Sequence, residues 1–259
     1  FYDDYLAMSV EADDLQGSGE DFIRYHDVNS VLVCSWDPTH EKYVLAAIEA
    51  GKFVFCEKPL AETADSCRNI VKQEMESGKH LVQVGFMRRF DTDYRAMKAR
   101  LDSGSMGAPL MAHCVHRNAT SNSQYETKVN VTGTAIHEID VMRWLLNDDI
   151  VAAKIVQPRV SKYVKNGQKD PQIIVFQTKT GIIIDVETFL HCQYGYDIQC
   201  EVVGEEGTIR LPDPAQVIVR QKAKCSFDIL EDWRYRFIDA YNIEFQSWVN
   251  NTKAGIVDG

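Results

Sequence analysis

The chain has 259 residues, 45% hydrophobic and 25% charged, with a formal net charge of -10 at pH 7. That length suits two domains, and the acidic balance argues against a generic nucleic-acid or anionic-membrane surface. No apolar run approaches the roughly 18 residues of a membrane helix, nothing at the N-terminus reads as a signal peptide, and seven cysteines, an odd number without a C-x-x-C pair, fit a reducing cytoplasm better than a disulfide framework.

The first 29 residues carry little pattern: "FYDDYLAM" could be a strand end running into a helix, and "EADDLQGSGED" reads as an acidic, exposed insertion. Its Gly17-Ser18-Gly19 is a G-x-G without a preceding strand, so a flexible loop is expected there rather than a dinucleotide fingerprint. From Ser30 the rhythm is clear. "SVLVCSW", "FVFCEK" and "HLVQVGF" are short apolar runs, as in strands buried on both faces. Between and after them, "PTHEKYVLAAIEAGK", "TADSCRNIVKQEMESGK" and "DTDYRAMKARLDSG" have helical spacing, with Thr63 as the N-cap of the second. Strand and helix alternating at this pitch predict right-handed crossovers and a parallel sheet.

After Gly107 the rhythm changes. "APLMAHCVHRN" predicts a strand, 121–130 a polar loop, and "TAIHEIDVMRWLLND" an amphipathic helix. Strand-like segments at 151–160, 172–178, 182–191 and 196–211 follow, with "TKTGI" and "GEEGTI" as hairpin connections, then a helix from about 232 to 250. The expected fold is α/β: a partial Rossmann domain over residues 1–106, then an α+β domain with a largely antiparallel open sheet over 107–259.

Lys58 stands between Glu57 and Pro59 where the second strand stops. Proline fixes its own φ and pushes the preceding residue away from helix, so Lys58 is held extended at the strand's mouth. A solvated charge is the simplest reading of such a lysine taken alone. "HCVH" (113–116) suggests metal ligands, but strand positions three apart face opposite ways, so no metal site is expected.

With "CEKPLA", "GFMRRFD", "HCVHRN", "TAIHEID" and "QYGYDIQCEVVGEEG" in that order, the sequence resembles the Gfo/Idh/MocA oxidoreductases, and within them the bacterial-type inositol 2-dehydrogenases. The resemblance runs from about Ser30 to Asn250. It implies NAD across the first domain, a small polyol between the two domains, and a homo-oligomer formed through the open sheet. It implies that Lys58 hydrogen-bonds the reacting hydroxyl and His137 takes its proton. Met87, Arg88, His116, Asn118 and Tyr196 would hold the polyol, and Trp36, His40, Glu57 and Lys58 would serve the cofactor. The chemistry suits these types, because alcohol oxidation needs a base titrating near neutral pH and a cation to favour the developing alkoxide. Plainer readings stay open. His137 shares a helix side with Val141, as a core histidine would; one of Arg88 and Arg89 is a surface charge, the pattern favouring Arg88 for the site; and Tyr196 reads equally as a packed aromatic.

Two departures accompany the resemblance. The family opens with a strand, a G-x-G-x-x-G turn and an acidic residue, and no glycine-rich turn follows a strand in these 259 residues. The usual C-terminal segment is also short. Weak NAD binding by this chain alone is therefore expected. Second, the family pattern D-T-x-x-H-E-I-D has Gly133 in place of its aspartate, one helical turn before His137. Glu138 and Asp140 are expected to project elsewhere. Three readings follow: part of an active NAD-dependent dehydrogenase, an enzyme on a related polyol using another group for the lost carboxylate, or a degenerate, non-catalytic relative acting in binding or assembly.

Overall fold

The computed structural model describes residues 18–122, 125–164, 167–213 and 217–257. "FYDDYLAM", and the insertion up to Gly17, lie outside the described residues. Ser18, expected in a flexible loop, instead caps a short helix, α1 (Gly19–Arg24). Its backbone N–H donates to the Asp21 carboxylate at 2.8 Å, and its hydroxyl accepts from the Asp21 N–H at 3.3 Å, a reciprocal capping box.

The chain divides into two compact units, one ending at Gly85 and taking in the segment from Ser247, the other running Phe86–Gln246. The break thus lies ahead of the 106/107 boundary that the change of rhythm suggested. The reason is packing, since Met87, Tyr94 and Met97 bury their side chains in the second unit's core.

In the first unit, β1 (Ser30–Val33), β2 (Phe53–Glu57) and β3 (Val82–Gly85) form a parallel sheet in that order. The helices between them are α2 (His40–Glu49) and α3 (Ala64–Ser77). Val31, Val33, Val54 and Cys56 meet Val44, Ala47, Ile48 and Ile70 in one core. Thr63 caps α3 as expected, its hydroxyl accepting from the Ser66 N–H at 3.1 Å, and Gly78, at φ +69°, ends the helix in the left-handed region.

The second unit opens with a 3-10 turn, Met87–Phe90, and α4 (Thr92–Asp102). β4 (Pro109–Arg117) leads to a π-helical turn, Asn130–Ala135, which runs into α5 (Ile136–Leu146). β5 (Ile150–Val156), β6 (Gln172–Thr178), β7 (Ile183–Phe189), β8 (Asp197–Gly204) and β9 (Thr208–Arg210) complete a six-stranded sheet of order β5-β6-β7-β4-β8-β9. Its pairings are antiparallel except β4 with β7. A small exposed hairpin, β10 (Val219–Gln221) with β11 (Lys224–Ser226), has no apolar alternation, which is why the sequence pattern passed over it. The last helix, α6, spans Trp233–Lys253.

The two-residue period of β4 decides the faces. Ala112, Cys114 and His116 point inward with Ile184, Val186 and Thr188 of β7, where Val141, Met142 and Leu145 of α5 join the same core. His113 points outward and pairs with Asp185, and Arg117 pairs outward with Glu187 and Asp197. The two histidines of "HCVH" thus stand on opposite faces.

Candidate active site

Trp36, His40, Glu57 and Lys58 lie at or beyond the C-terminal ends of the first unit's parallel strands, the side on which open α/β sheets take ligands. Trp36 is 76% exposed. Glu57 and Lys58 are half-buried, and the Lys58 N–H donates to the Glu57 carboxylate at 3.2 Å. Burial pushes the Glu57 carboxyl above its usual range, with the Lys58 charge pulling the other way. His40 is buried, its Nδ1 2.7 Å from the Pro59 carbonyl and its Nε2 2.9 Å from the Ser35 carbonyl. Its imidazole is committed to backbone. What His40 can lend a cofactor is the placement of the chain after β1 and of the residue that follows Lys58.

A nicotinamide dinucleotide fits this donor set. An exposed indole offers a stacking face, and an ammonium beside a partly buried carboxyl offers one donor and one acceptor. Gly85, at the end of β3, lies under the same groups: a Cβ there would meet the Phe55 ring at 3.0 Å and the Glu57 carboxyl carbon at 3.4 Å.

In the second unit the sequence-derived residues converge around one buried ion pair. Arg88, 1% exposed in the turn before α4, donates through Nη1 to Oε1 of Glu138, itself 1% exposed on α5. His116 Nδ1 lies 3.1 Å from Arg88 Nη2 and 3.1 Å from Glu138 Oε2. That nitrogen accepts from the guanidinium or donates to the carboxylate, according to its tautomer. Tyr94 and Phe237 flank the guanidinium, with ring centroids 5.9 and 5.6 Å from Cζ. The Tyr196 ring stands edge-on to His116 at 5.8 Å, and the His137 ring lies 6.1 Å from His116.

Burial opposes ionisation of Glu138, yet the Arg88 charge, His116 and their hydrogen bonds outweigh it and hold the carboxyl lowered to about 2. Burial likewise opposes the Arg88 charge, and Glu138 leaves its pKa raised. Burial pushes the Tyr196 phenol upward, so it stays protonated at neutral pH.

The structure therefore brings Arg88, His116, His137 and Tyr196 together. Asn118, half-buried, follows β4 immediately. Met87 is packed into the core at 2% exposed. Arg89 is the more exposed arginine of the two, held by a two-pronged contact to Asp140 with Nε–Oδ2 at 2.9 Å and Nη2–Oδ1 at 2.5 Å. Glu138 is the residue that sequence reasoning missed. A glutamate in an amphipathic helix reads as a solvated charge, and only burial shows that it organises two of the candidates.

Gly133 lies in the π-helical turn, four residues before His137. A Cβ there would meet Val129 Cγ1 at 2.8 Å. Space for a side chain at 133 therefore depends on Val129.

Residues 7–86 match the oxidoreductase family's NAD-binding Rossmann fold, and residues 94–210 match the GFO/IDH/MocA C-terminal domain. The chain is 54% identical over 246 residues to the inositol 2-dehydrogenase of Klebsiella pneumoniae subsp. pneumoniae, covering 95% of this chain and 73% of that one. It is 56% identical over 242 residues to the inositol 2-dehydrogenase of Serratia proteamaculans, covering 93% and 72%. The fold matches the myo-inositol dehydrogenase of Lactobacillus casei, solved in complex with NAD(H) and myo-inositol, with TM-score 0.90 and 38% identity over 93% of this chain and 72% of that one. Fold and sequence together define an oxidoreductase built on an NAD-binding Rossmann domain. The chain belongs to the Gfo/Idh/MocA family and is of the inositol dehydrogenase type.

The Glu138 pair carries an acid signature. Because folding lowers this carboxyl from 4.5 to about 2, its contribution is complete above about pH 4.5 and fades as the pH falls toward 2, roughly 3 kcal/mol in all. Glu138→Gln should flatten the stability slope in that window. It should also cost about 3–5 kcal/mol at neutral pH by leaving Arg88 buried without its counter-charge. Urea unfolding at pH 7 and pH 3 measures both; an unchanged acid slope would remove Glu138 as the source.

Proposed function

We propose that the protein oxidises a secondary hydroxyl of inositol, or of a closely related polyol, with NAD as hydride acceptor. The observation that carries this reading is the buried cluster of Arg88, Glu138, His116 and Tyr196 beside His137 in the second unit. The curated relatives are named as inositol 2-dehydrogenases, which favours the enzyme over a non-catalytic assembly role.

When bound, the nicotinamide supplies the hydride acceptor. In this reading His137 accepts the hydroxyl proton at an imidazole nitrogen, and general-base help of this kind contributes about 10²–10⁴-fold. Lys58 donates a hydrogen bond to the same oxygen and stabilises the developing alkoxide. Trp36, Glu57 and Lys58 meet the cofactor, with His40 acting through the backbone it holds. His116, Asn118 and Tyr196 contact the polyol, and Met87 and Arg88 set the shape and charge behind them. Seven free thiols suit a reducing cytoplasm as its setting.

The full-length protein should form NADH from myo-inositol. Lys58→Met and His137→Asn should each lower kcat by about 10²-fold or more, and NAD binding should persist in the His137→Asn variant. Titration calorimetry with NAD and a panel of inositol isomers completes the test. The reading fails if no isomer is oxidised, or if either variant keeps the parental rate.

At Gly133 the geometry tempers a simple restoration of the aspartate. Val129 is β-branched and stiff in helical backbone, so Gly133→Asp alone should gain little. Gly133→Asp combined with Val129→Ala should raise kcat about 10-fold by placing a carboxylate to orient His137. Equal turnover of the double variant and the parent would mean that another group already serves the imidazole.

We also propose self-association through the outer face of the six-stranded sheet. Met111 and Ile183 are register partners, 40% and 41% exposed, beside the outward pairs of His113 with Asp185 and Arg117 with Glu187. An apolar patch rimmed by paired charges suits an isologous contact with a second copy. Sedimentation velocity at about tens of micromolar should show a dimer or larger; a clean monomer would refute the contact.

A further inference from the structure

Asp170, His191 and Ser121 form a hydrogen-bonded relay in the second unit that the reaction chemistry does not use. Asp170 is fully buried and His191 is 5% exposed. One Asp170 oxygen accepts from the Leu190 backbone N–H at 2.9 Å, and the other lies 2.9 Å from His191 Nδ1. A carboxylate only accepts, so Nδ1 carries a proton, and the Ser121 hydroxyl, which can donate or accept, lies 3.0 Å from Nε2.

The relay closes on the segment that carries Asn118. Beyond the end of β4, the Asn118 N–H donates to the Phe189 carbonyl at 2.9 Å and its carbonyl accepts from the Cys192 N–H at 3.0 Å. The next carbonyl, of Ala119, accepts from the Gln193 N–H at 3.1 Å and from its side-chain amide at 3.2 Å. The position of Asn118 is thus set by the register of 118–121 against 189–193. The sole side-chain tie from Ser121 to this segment among the described hydrogen bonds runs through His191 to Asp170. The same corner reaches the approach to α5, because Asn130, which opens the π-helical turn, donates to the Lys169 carbonyl at 3.3 Å and accepts from Thr188 at 3.1 Å.

We propose that Asp170, His191 and Ser121 are positioning residues that set Asn118 for the polyol and so govern substrate affinity rather than turnover. The proposal rests on the reading of Asn118 as a polyol contact. In the full-length protein, Ser121→Ala should raise KM for myo-inositol about 5-fold, the scale of one hydrogen bond. Its kcat should stay within about 2-fold and its KM for NAD should not move. Ser121→Thr, which keeps the hydroxyl, should restore the parental KM, and amide exchange across 118–122 should quicken in the alanine variant alone. Asn118→Ala is the reference. If it raises KM for myo-inositol while Ser121→Ala and His191→Asn do not, the relay is merely structural and the proposal falls with the polyol reading intact. If Asn118→Ala leaves that KM unchanged, the polyol contact itself is wrong and the relay proposal goes with it.

Discussion

The second unit is organised around the ion pair of Arg88 and Glu138. Both side chains are 1% exposed, so each charge has lost its water and tolerates burial only because the other is present. One contact therefore locks the turn Met87–Phe90 onto α5, and His116 adds β4 to the same knot. Such a pair adds little net stability compared with a well-packed apolar pair, but it penalises every arrangement in which the turn, the helix and the strand fail to meet. Tyr94 and Phe237 close the sides of the guanidinium, so α4 and α6 are drawn into the same constraint.

From this pair outward, the polar groups are held by their second contacts. His116 is aimed by the ion pair, and the Asn118 backbone by the strand extension at 189–192. In the first unit the buried His40 ring does comparable work, its two nitrogens lying against the Pro59 carbonyl beyond β2 and the Ser35 carbonyl beyond β1, with its N–H donating to one of them. Reactive groups at strand ends sit where regular hydrogen bonding stops, and a buried side chain that reaches two loops supplies the missing restraint. Gly133 shows the converse: Val129 occupies the space beside it, so replacing one residue in a helical turn becomes a question about two.

The alternation of apolar runs from 30 to 102, the Thr63 cap and the inward and outward faces of β4 were legible in the sequence, because each follows from local periodicity or from one side chain meeting its own backbone. Lys58, His116 and His137 stand as candidates through ordered motifs rather than through periodicity. Glu138 was not legible, nor was the engagement of both His40 nitrogens. The Ser121–His191–Asp170 relay joins residues 70 and 21 positions apart, a distance over which no local pattern carries information.

The sequence by itself determined the two kinds of sheet, the order of their elements and the chemical types present at the candidate site. Those properties depend on side-chain period, turn residues and composition, which act over a few residues. Tertiary structure alone decided that the second unit begins at Phe86, that the 3-10 turn carrying Arg88 packs with α5, and that Glu138 is buried. The physical reason is desolvation. Whether a carboxylate reads as a solvated surface charge or as the centre of a site depends on which distant side chain removes its water and replaces it.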